Sequence, residues 1–341
     1  MSHVEVLRGG IVESRHQVSV AVCDASGRCV ASVGDVAGVT FYRSAAKPLQ
    51  ALPLVEEGVA DRFGLTSDEL ALCCGSHEGS PEHVAAARSI LAKAGIDEAL
   101  LRCGAHAPYS PKAARTVYAG GGAPQRIHNN CSGKHAGMLA LAAGMGWDPV
   151  DYHLPDHPVQ ERMLDEIARW SEVPRQDVAV AVDGCGVPCF AVTLERMAGA
   201  FARFAQAAAD EESPARIVGA MTGWPFMVGG EGRTCTDVMA RSEGRVFVKL
   251  GAEGVYGGGV PSEGLGFAIK VRDGGRRAVE VALVRVLELL GALMDKEIAA
   301  LSRHGRPAVR NTRGEVVGEI RPAFEFDPSG RLFAGTQTRE L

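Results

Sequence analysis

An α+β fold, an antiparallel sheet flanked by helices and carrying a helical lobe, is predicted by two observations on this 341-residue chain. Alternating apolar stretches, the pattern of half-buried strands, fall near both ends, from Val4 to Ser32 and from Arg245 to Val271. Between them run segments with the i, i+3, i+4 spacing of helices that bury one face. No linker is long enough to divide independent domains and no internal repeat is present. Residues 1–341 therefore read as one two-lobed unit, with about 304–341 as a loosely ordered extension.

Taken in order, Asp24-Ala-Ser-Gly27 is a turn between two short strands. Ser44 to Gly58 has helical spacing at Leu49, Leu52, Leu54 and Val55. Thr66-Ser-Asp-Glu69 supplies caps for a short helix running into Cys73 and Cys74, which stops at Gly75. Pro81 to Ala94 is helical with Gly95 as its stop, and Ala119 to Ala123, ahead of Pro124, is a loop. Cys131 to Met145 carries little charge and reads as a buried helix; Val159 to Trp170 is amphipathic. Val178 to Val182 reads as a buried strand, Leu194 to Ala209 as a helix, and another helix lies near Ala215. Arg245 to Leu250, a segment at Val255 and Gly264 to Val271 are strands, one long apolar helix spans Ala278 to Leu301, and Val316 to Glu319 adds an edge strand.

Composition narrows the function. Apolar residues make up 46% and charged residues 23% of the chain, ordinary for a soluble globular protein. The 36 basic residues do not exceed the 41 acidic ones, so nothing favours a nucleic acid backbone. No apolar run approaches a membrane span, and the N-terminus lacks the charged-then-apolar pattern of a leader. Nine cysteines, an odd number in a chain too large to need disulfides, point to reduced core thiols and a cytoplasmic setting.

The chemistry-bearing residues gather in a few turns. Ser44 and Lys47 form a Ser-x-x-Lys at a helix start, where residues three apart share a face. A lysine whose pKa is lowered by burial or nearby positive charge can take the proton of a serine, which is otherwise a poor nucleophile. The tetrad alone is common in unrelated chains. Three Gly-bearing polar clusters accompany it: Cys74 to Ser80, His128 to Gly137 and Asp183 to Cys189. Asn129 and Asn130 can cap the helix that follows. Cys131 and His135, four apart on that helix, share a face, and with Cys185 make either a metal site of the zinc type or a set of buried free thiols. Late in the chain a strand carries Lys249-Leu-Gly251. Ser-x-x-Lys followed much later by a strand Lys-x-Gly is similar to the layout of the serine β-lactamase and penicillin-binding protein group.

Five segments in order, Arg43-Ser-Ala-Ala-Lys-Pro48, Cys74-Gly-Ser-His-Glu78, Asn130-Cys-Ser-Gly-Lys-His-Ala-Gly137, Asp183-Gly-Cys-Gly-Val-Pro188 and Lys249-Leu-Gly-Ala-Glu-Gly254, resemble the asparaginase II family. These are the serine-dependent amidases of rhizobial type, and the resemblance runs from Val4 to Leu301. It implies hydrolysis of L-asparagine to L-aspartate and ammonia, a serine β-lactamase-like fold, a homodimer, and zinc bound by two cysteines and a lysine. Carried over residue by residue, it implies pairs of Ser44 with Lys47 and Ser76 with Lys249, and zinc on Cys131, Lys134 and Cys185. His135 then falls to a place behind the metal or beside the substrate, and Lys270 is the alternative should Lys249 not align. Ser44 is the expected nucleophile, Arg43 the nearest cation for the substrate α-carboxylate, and Glu78 and Asp183 the carboxylates for its α-ammonium. Zinc is expected to act as a clamp and not as the source of the nucleophile. Glutaminase, β-lactam hydrolase and a non-catalytic amino-acid sensor are open alternatives on the same frame.

Overall fold

The computed structural model describes residues 2–326. In chain order the strands are β1 (Ser2–Arg8), β2 (Ile11–Asp24), β3 (Cys29–Val33), β4 (Val39–Phe41), β5 (Ala179–Val182), β6 (Pro188–Thr193), β7 (Phe247–Gly251), β8 (Val255–Val260), β9 (Leu265–Val271), β10 (Ala308–Arg310) and β11 (Val316–Phe324). The main sheet runs β10-β11-β1-β2-β9-β8-β7 with β3 also paired to β2, and β4-β6-β5 form a small second sheet. Every pairing is antiparallel, so the predicted α+β class holds.

Strand β9 is buried almost throughout, which requires a layer on each face. Helices Leu194–Asp210 and Arg276–Leu289 both pack against it. The first lies so close that a Cβ on Gly266 would stand 2.0 Å from the Ala202 backbone nitrogen, and one on Gly257 2.0 Å from the Phe201 ring. Glycine is the only residue that permits that approach. The remaining helices, among them Lys47–Glu56, Ser67–Cys73, Pro81–Lys93, Ser132–Met145 and Pro158–Ser171, build the helical lobe. Thr66 and Glu69 form the anticipated capping box at the second of these. No helix among the described residues is long and apolar enough to cross a membrane.

Four sequence readings need correction. The opening stretch yields three strands, because β2 continues for 14 residues before the turn at Asp24. Strand β5 is exposed along its length, with Val182 71% accessible, since it is the outer strand of the small sheet. The long helix breaks after Leu289, where Gly291 adopts φ +63° and the chain re-enters a helix at Asp295–Ala300. Strand β11 is no edge: it sits between β10 and β1, so the segment anticipated as a loose extension from about 304 supplies part of the sheet. Its Pro322, which cannot donate to a ladder, falls beyond the stretch paired with β10. The rest of that extension, 327–341, lies outside the described residues.

Two contacts between elements place the site. The end of β7 presses on the turn after β4, since a Cβ on Gly251 would lie 2.6 Å from the Tyr42 carbonyl oxygen. The turn of the β5–β6 hairpin, closed by the Asp183 N–H donating to Val187 O at 2.8 Å, reaches the start of helix Ser132–Met145 through the Lys134–Cys185 contact.

Candidate active site

Ser44 belongs to a 3₁₀ turn, Arg43–Ala46, that runs straight into helix Lys47–Glu56. Arg43 immediately before it has φ +50°, a left-handed conformation that is strained for a residue with a side chain. Lys47 is wholly buried, and its amine does not turn back to Ser44. It donates instead to the Gly75 carbonyl, to Ser76 Oγ at 3.0 Å and to Cys131 Sγ at 3.2 Å. Those three acceptors match the three N–H groups of an ammonium. The Ser44–Lys47 pair inferred from spacing is thus replaced by a Lys47–Ser76 contact, because the helix face bearing Lys47 packs against the loop after Cys74.

Ser76 is the centre of the arrangement. Its Oγ also lies 2.9 Å from Lys249 Nζ, and Lys249 donates to the Leu250 carbonyl at 2.8 Å. Burial, helped by the positive charge of Lys47 and opposed by Cys235, pulls the Lys249 pKa down to about 7. In its neutral form Lys249 has a lone pair that can accept a hydrogen bond from Ser76 Oγ while Lys47 donates to the same oxygen. The backbone of Ser76 is held by its N–H donating to Val228 O at 2.9 Å. His77 beside it accepts from the Gly79 N–H through Nδ1, so Nε2 bears the proton and donates to Ser132 Oγ at 3.0 Å. Lys270, the alternative to Lys249, lies elsewhere and donates to the Glu253 carbonyl.

Behind the two lysines sits a sulfur cluster. Lys134 Nζ is 3.1 Å from Cys185 Sγ, and Asp183 Oδ2 is 3.6 Å from the same sulfur. A hydrogen bond from the Cys131 thiol, reinforced by Lys134 and opposed by burial, lowers Cys185 to about 5, while the same bond together with burial raises Cys131 to about 12 against the Lys47 charge. Asn129 Oδ1 accepts from the Cys131 N–H at 2.8 Å, a turn ahead of the helix and not the expected cap, since Cys131 is itself the N-cap and no side chain bonds the first helical N–H groups. Two thiols and an amine converging in a buried pocket suit a zinc-type ion once Cys131 and Lys134 lose their protons. Among the described residues no group of three or more His, Cys, Asp and Glu side chains could hold a metal, so the set that included His135 is not formed. His135 is buried and donates or accepts at Tyr152 OH, 2.5 Å from Nδ1, while Nε2 has no partner. Burial and the nearby Lys134 charge push its pKa down to about 3.

Ser44 and Ser76 line one cavity of about 220 Å³ together with Tyr109, Asn130, Arg233 and Glu253. The groups expected from sequence to grip the substrate are not on its wall. Arg43 Nε donates to Asp183 Oδ1 at 2.6 Å, and Lys134 with Arg43 holds the Asp183 carboxyl below the usual range against the opposing effect of burial. Glu78 accepts from the Glu231 N–H at 3.2 Å and packs beneath Gly230. Glu253 stands inside the Lys249–Gly254 segment but was given no role there, and Arg233 lies in a turn outside all five segments, so neither was singled out from sequence.

The family model of L-asparaginase II matches residues 4–322. The chain belongs to the L-asparaginase II family. As a member it is an asparaginase-type amidohydrolase acting on an amino-acid substrate, and the match extends past the Leu301 limit read from the motifs into β11. No protein of curated function matches the sequence. Two solved structures resemble it at low identity. One is a β-lactamase (Mb2281c) from Mycobacterium bovis, 17% identical with a TM-score of 0.43, covering 81% of this chain and 95% of that one. The other is Mglu in its native form at 4.3 M NaCl, 14% identical with a TM-score of 0.41, covering 84% and 60% respectively.

Proposed function

We propose that this L-asparaginase II member hydrolyses L-asparagine to L-aspartate and ammonia through a seryl ester on Ser44, with Ser76 and Lys249 carrying the proton. The observation behind this reading is Ser76 Oγ held between Lys249 Nζ at 2.9 Å and Lys47 Nζ at 3.0 Å, in a cavity wall shared with Ser44. Ser44 follows a strained residue, the kind of backbone that costs on the order of 1–3 kcal/mol and recurs where a turn must present a side chain. Its hydroxyl makes no hydrogen bond among the described residues, which leaves the oxygen free to attack.

Ser44 Oγ bonds to the side-chain amide carbon, its proton passing to Ser76 as Ser76 passes its own to neutral Lys249. The C–N bond then breaks and the proton returns along the same route to the departing ammonia. Water cleaves the ester with the roles repeated. The Ser44 N–H, at the start of the Arg43–Ala46 turn, would donate to the oxyanion, whereas the Ala45 N–H is already bonded to the Tyr42 carbonyl. Cys131, Lys134 and Cys185 would hold zinc, which supplies an electrostatic clamp on the two turns and on the bound substrate.

Trapping with a slowly acylating asparagine analogue, followed by peptide mass mapping, tests the assignment: the adduct is expected on Ser44. An adduct on Ser76 alone favours the second reading, in which the serine already bonded to Lys249 attacks directly. Ammonia release is measured with L-asparagine, L-glutamine and a chromogenic β-lactam in parallel. Turnover of the β-lactam alone would sink the asparaginase reading, and binding without turnover would favour the sensor.

A further inference from the structure

The cavity carries two charged side chains that no partner among the described residues satisfies. The guanidinium of Arg233, between Gly232 and helix Thr234–Arg241, makes no hydrogen bond or ion pair among the described residues, the carbonyl of the same residue accepting from the Asp237 N–H at 2.9 Å. Its aliphatic stem packs at Gly229, where an added Cβ would meet Arg233 Cβ at 3.1 Å. Gly229 follows Val228, whose carbonyl accepts the Ser76 N–H, so the guanidinium is anchored one residue from the segment that holds the reactive serine. The other arginine on this wall, Arg276, is already tied to Glu280 at 3.0 Å.

Opposite in charge is Glu253, at the tip of the β7–β8 hairpin. Its φ is +60°. With Gly254 at φ +68° it makes the pair of positive φ values that a tight hairpin turn uses, so the turn itself holds Glu253 at the tip. The Glu253 carboxylate lies over the backbone of Gly274, another wall residue, and forms no ion pair within 4 Å among the described residues; its charge reaches Arg43 and Lys270 only through space.

We infer that Arg233 and Glu253 form the clamp for the amino-acid head group of the substrate, Arg233 taking the α-carboxylate and Glu253 the α-ammonium. A guanidinium and a carboxylate on one small cavity match a zwitterion whose two charges share a carbon. At about 220 Å³ the space falls below the roughly 300–1,000 Å³ of drug-sized ligand sites and suits a single amino acid. Arg43, Asp183 and Glu78 are already occupied with one another or with backbone, and each would have to break a bond to serve.

This inference rests on the asparaginase reading and deepens it. Its test uses three amides: L-asparagine, 3-aminopropanamide, which lacks the α-carboxylate, and succinamate, which lacks the α-ammonium. Arg233→Met should lower kcat/KM for L-asparagine and succinamate roughly 10- to 100-fold, the worth of a charge-assisted pair, while 3-aminopropanamide changes less than about threefold. Glu253→Gln should do the reverse, penalising L-asparagine and 3-aminopropanamide but sparing succinamate. Arg233→Lys, which keeps charge without the bidentate fork, should fall between wild type and Arg233→Met. Rates are taken on the alkaline plateau of each variant, which removes any effect of the Arg233 charge on Lys249, and circular dichroism melts confirm the fold. Equal losses for all three amides would overturn the clamp and leave the asparaginase reading intact. A wild type that releases no ammonia from L-asparagine would overturn both.

Discussion

Replacing Lys249 by Met should abolish activity and raise stability below neutral pH. Lys249 is 1% exposed, and burial drops its pKa from 10.5 to about 7. At 1.36 kcal/mol per pH unit, holding this group charged in the fold costs about 5 kcal/mol. The sign follows from the direction of the shift. Below about pH 7 both folded and unfolded chains carry the ammonium, so the cost is fully present; between about 7 and 10.5 it fades as the folded amine stays neutral while the unfolded one loses its proton. Met matches the lysine stem but forfeits the bonds to Ser76 Oγ and Leu250 O, each worth about 1 kcal/mol net. The balance is a gain of about 3 kcal/mol at pH 6, or roughly 5 °C in melting temperature for a chain of this size. Past pH 10.5 it should become a loss of about 2 kcal/mol from the missing bonds. Paired calorimetric melts of wild type and Lys249→Met at pH 6, 8 and 9.5, at one ionic strength, read the difference directly. A variant that is destabilised at pH 6, or whose advantage does not change with pH, would refute the argument that the fold strains to bury this amine.

The same amine sets the acid limb of catalysis: kcat/KM should fall about tenfold per pH unit below about 7, and a flat profile between pH 5 and 8 would exclude Lys249 as the base. Removing zinc by chelation, with elemental analysis as the check, should raise KM more than it lowers kcat; an unchanged KM with kcat abolished would make the ion catalytic. Metal retention should fall in acid, because Cys131, Cys185 and Lys134 must all shed protons to bind it. L-asparagine should be preferred over L-glutamine by roughly a hundredfold, since a fixed head group and one extra methylene misplace the carbonyl by about an ångström, and comparable specificity constants would show that the head group is not held.

The local elements were legible because their signals are local. Thr66 with Glu69, Pro81 with Gly95 and the uncharged run after Cys131 each announce a helix within a few residues, and each helix formed. What failed depended on distant partners. Nothing in Val316 to Glu319 says that it will pair with β10 while its continuation, Ile320 to Phe324, pairs with β1 more than 300 residues away, and nothing in Val178 to Val182 says that its sheet has no further strand to cover it. The site divides in the same way. Ser44, Ser76, Lys47, Lys249, Cys131, Lys134 and Cys185 were named from motifs, but the spacing rule paired Ser44 with Lys47, whereas the loop folded over that helix brings Ser76 to the amine instead. Arg43 and Asp183, assigned to the substrate from sequence, form an ion pair with one another at 2.6 Å.

The placement of β11 bears on how the molecule is made. One edge of β1 stays unpaired until residues 320–324 have left the ribosome, so an early strand waits for one made more than 300 residues later. A strand left open that long is a template for another chain. Nascent molecules should therefore depend on chaperones for that interval, and stop codons or proteolytic cuts ahead of Val316 should yield aggregates, even though every residue of the serine–lysine centre is already present.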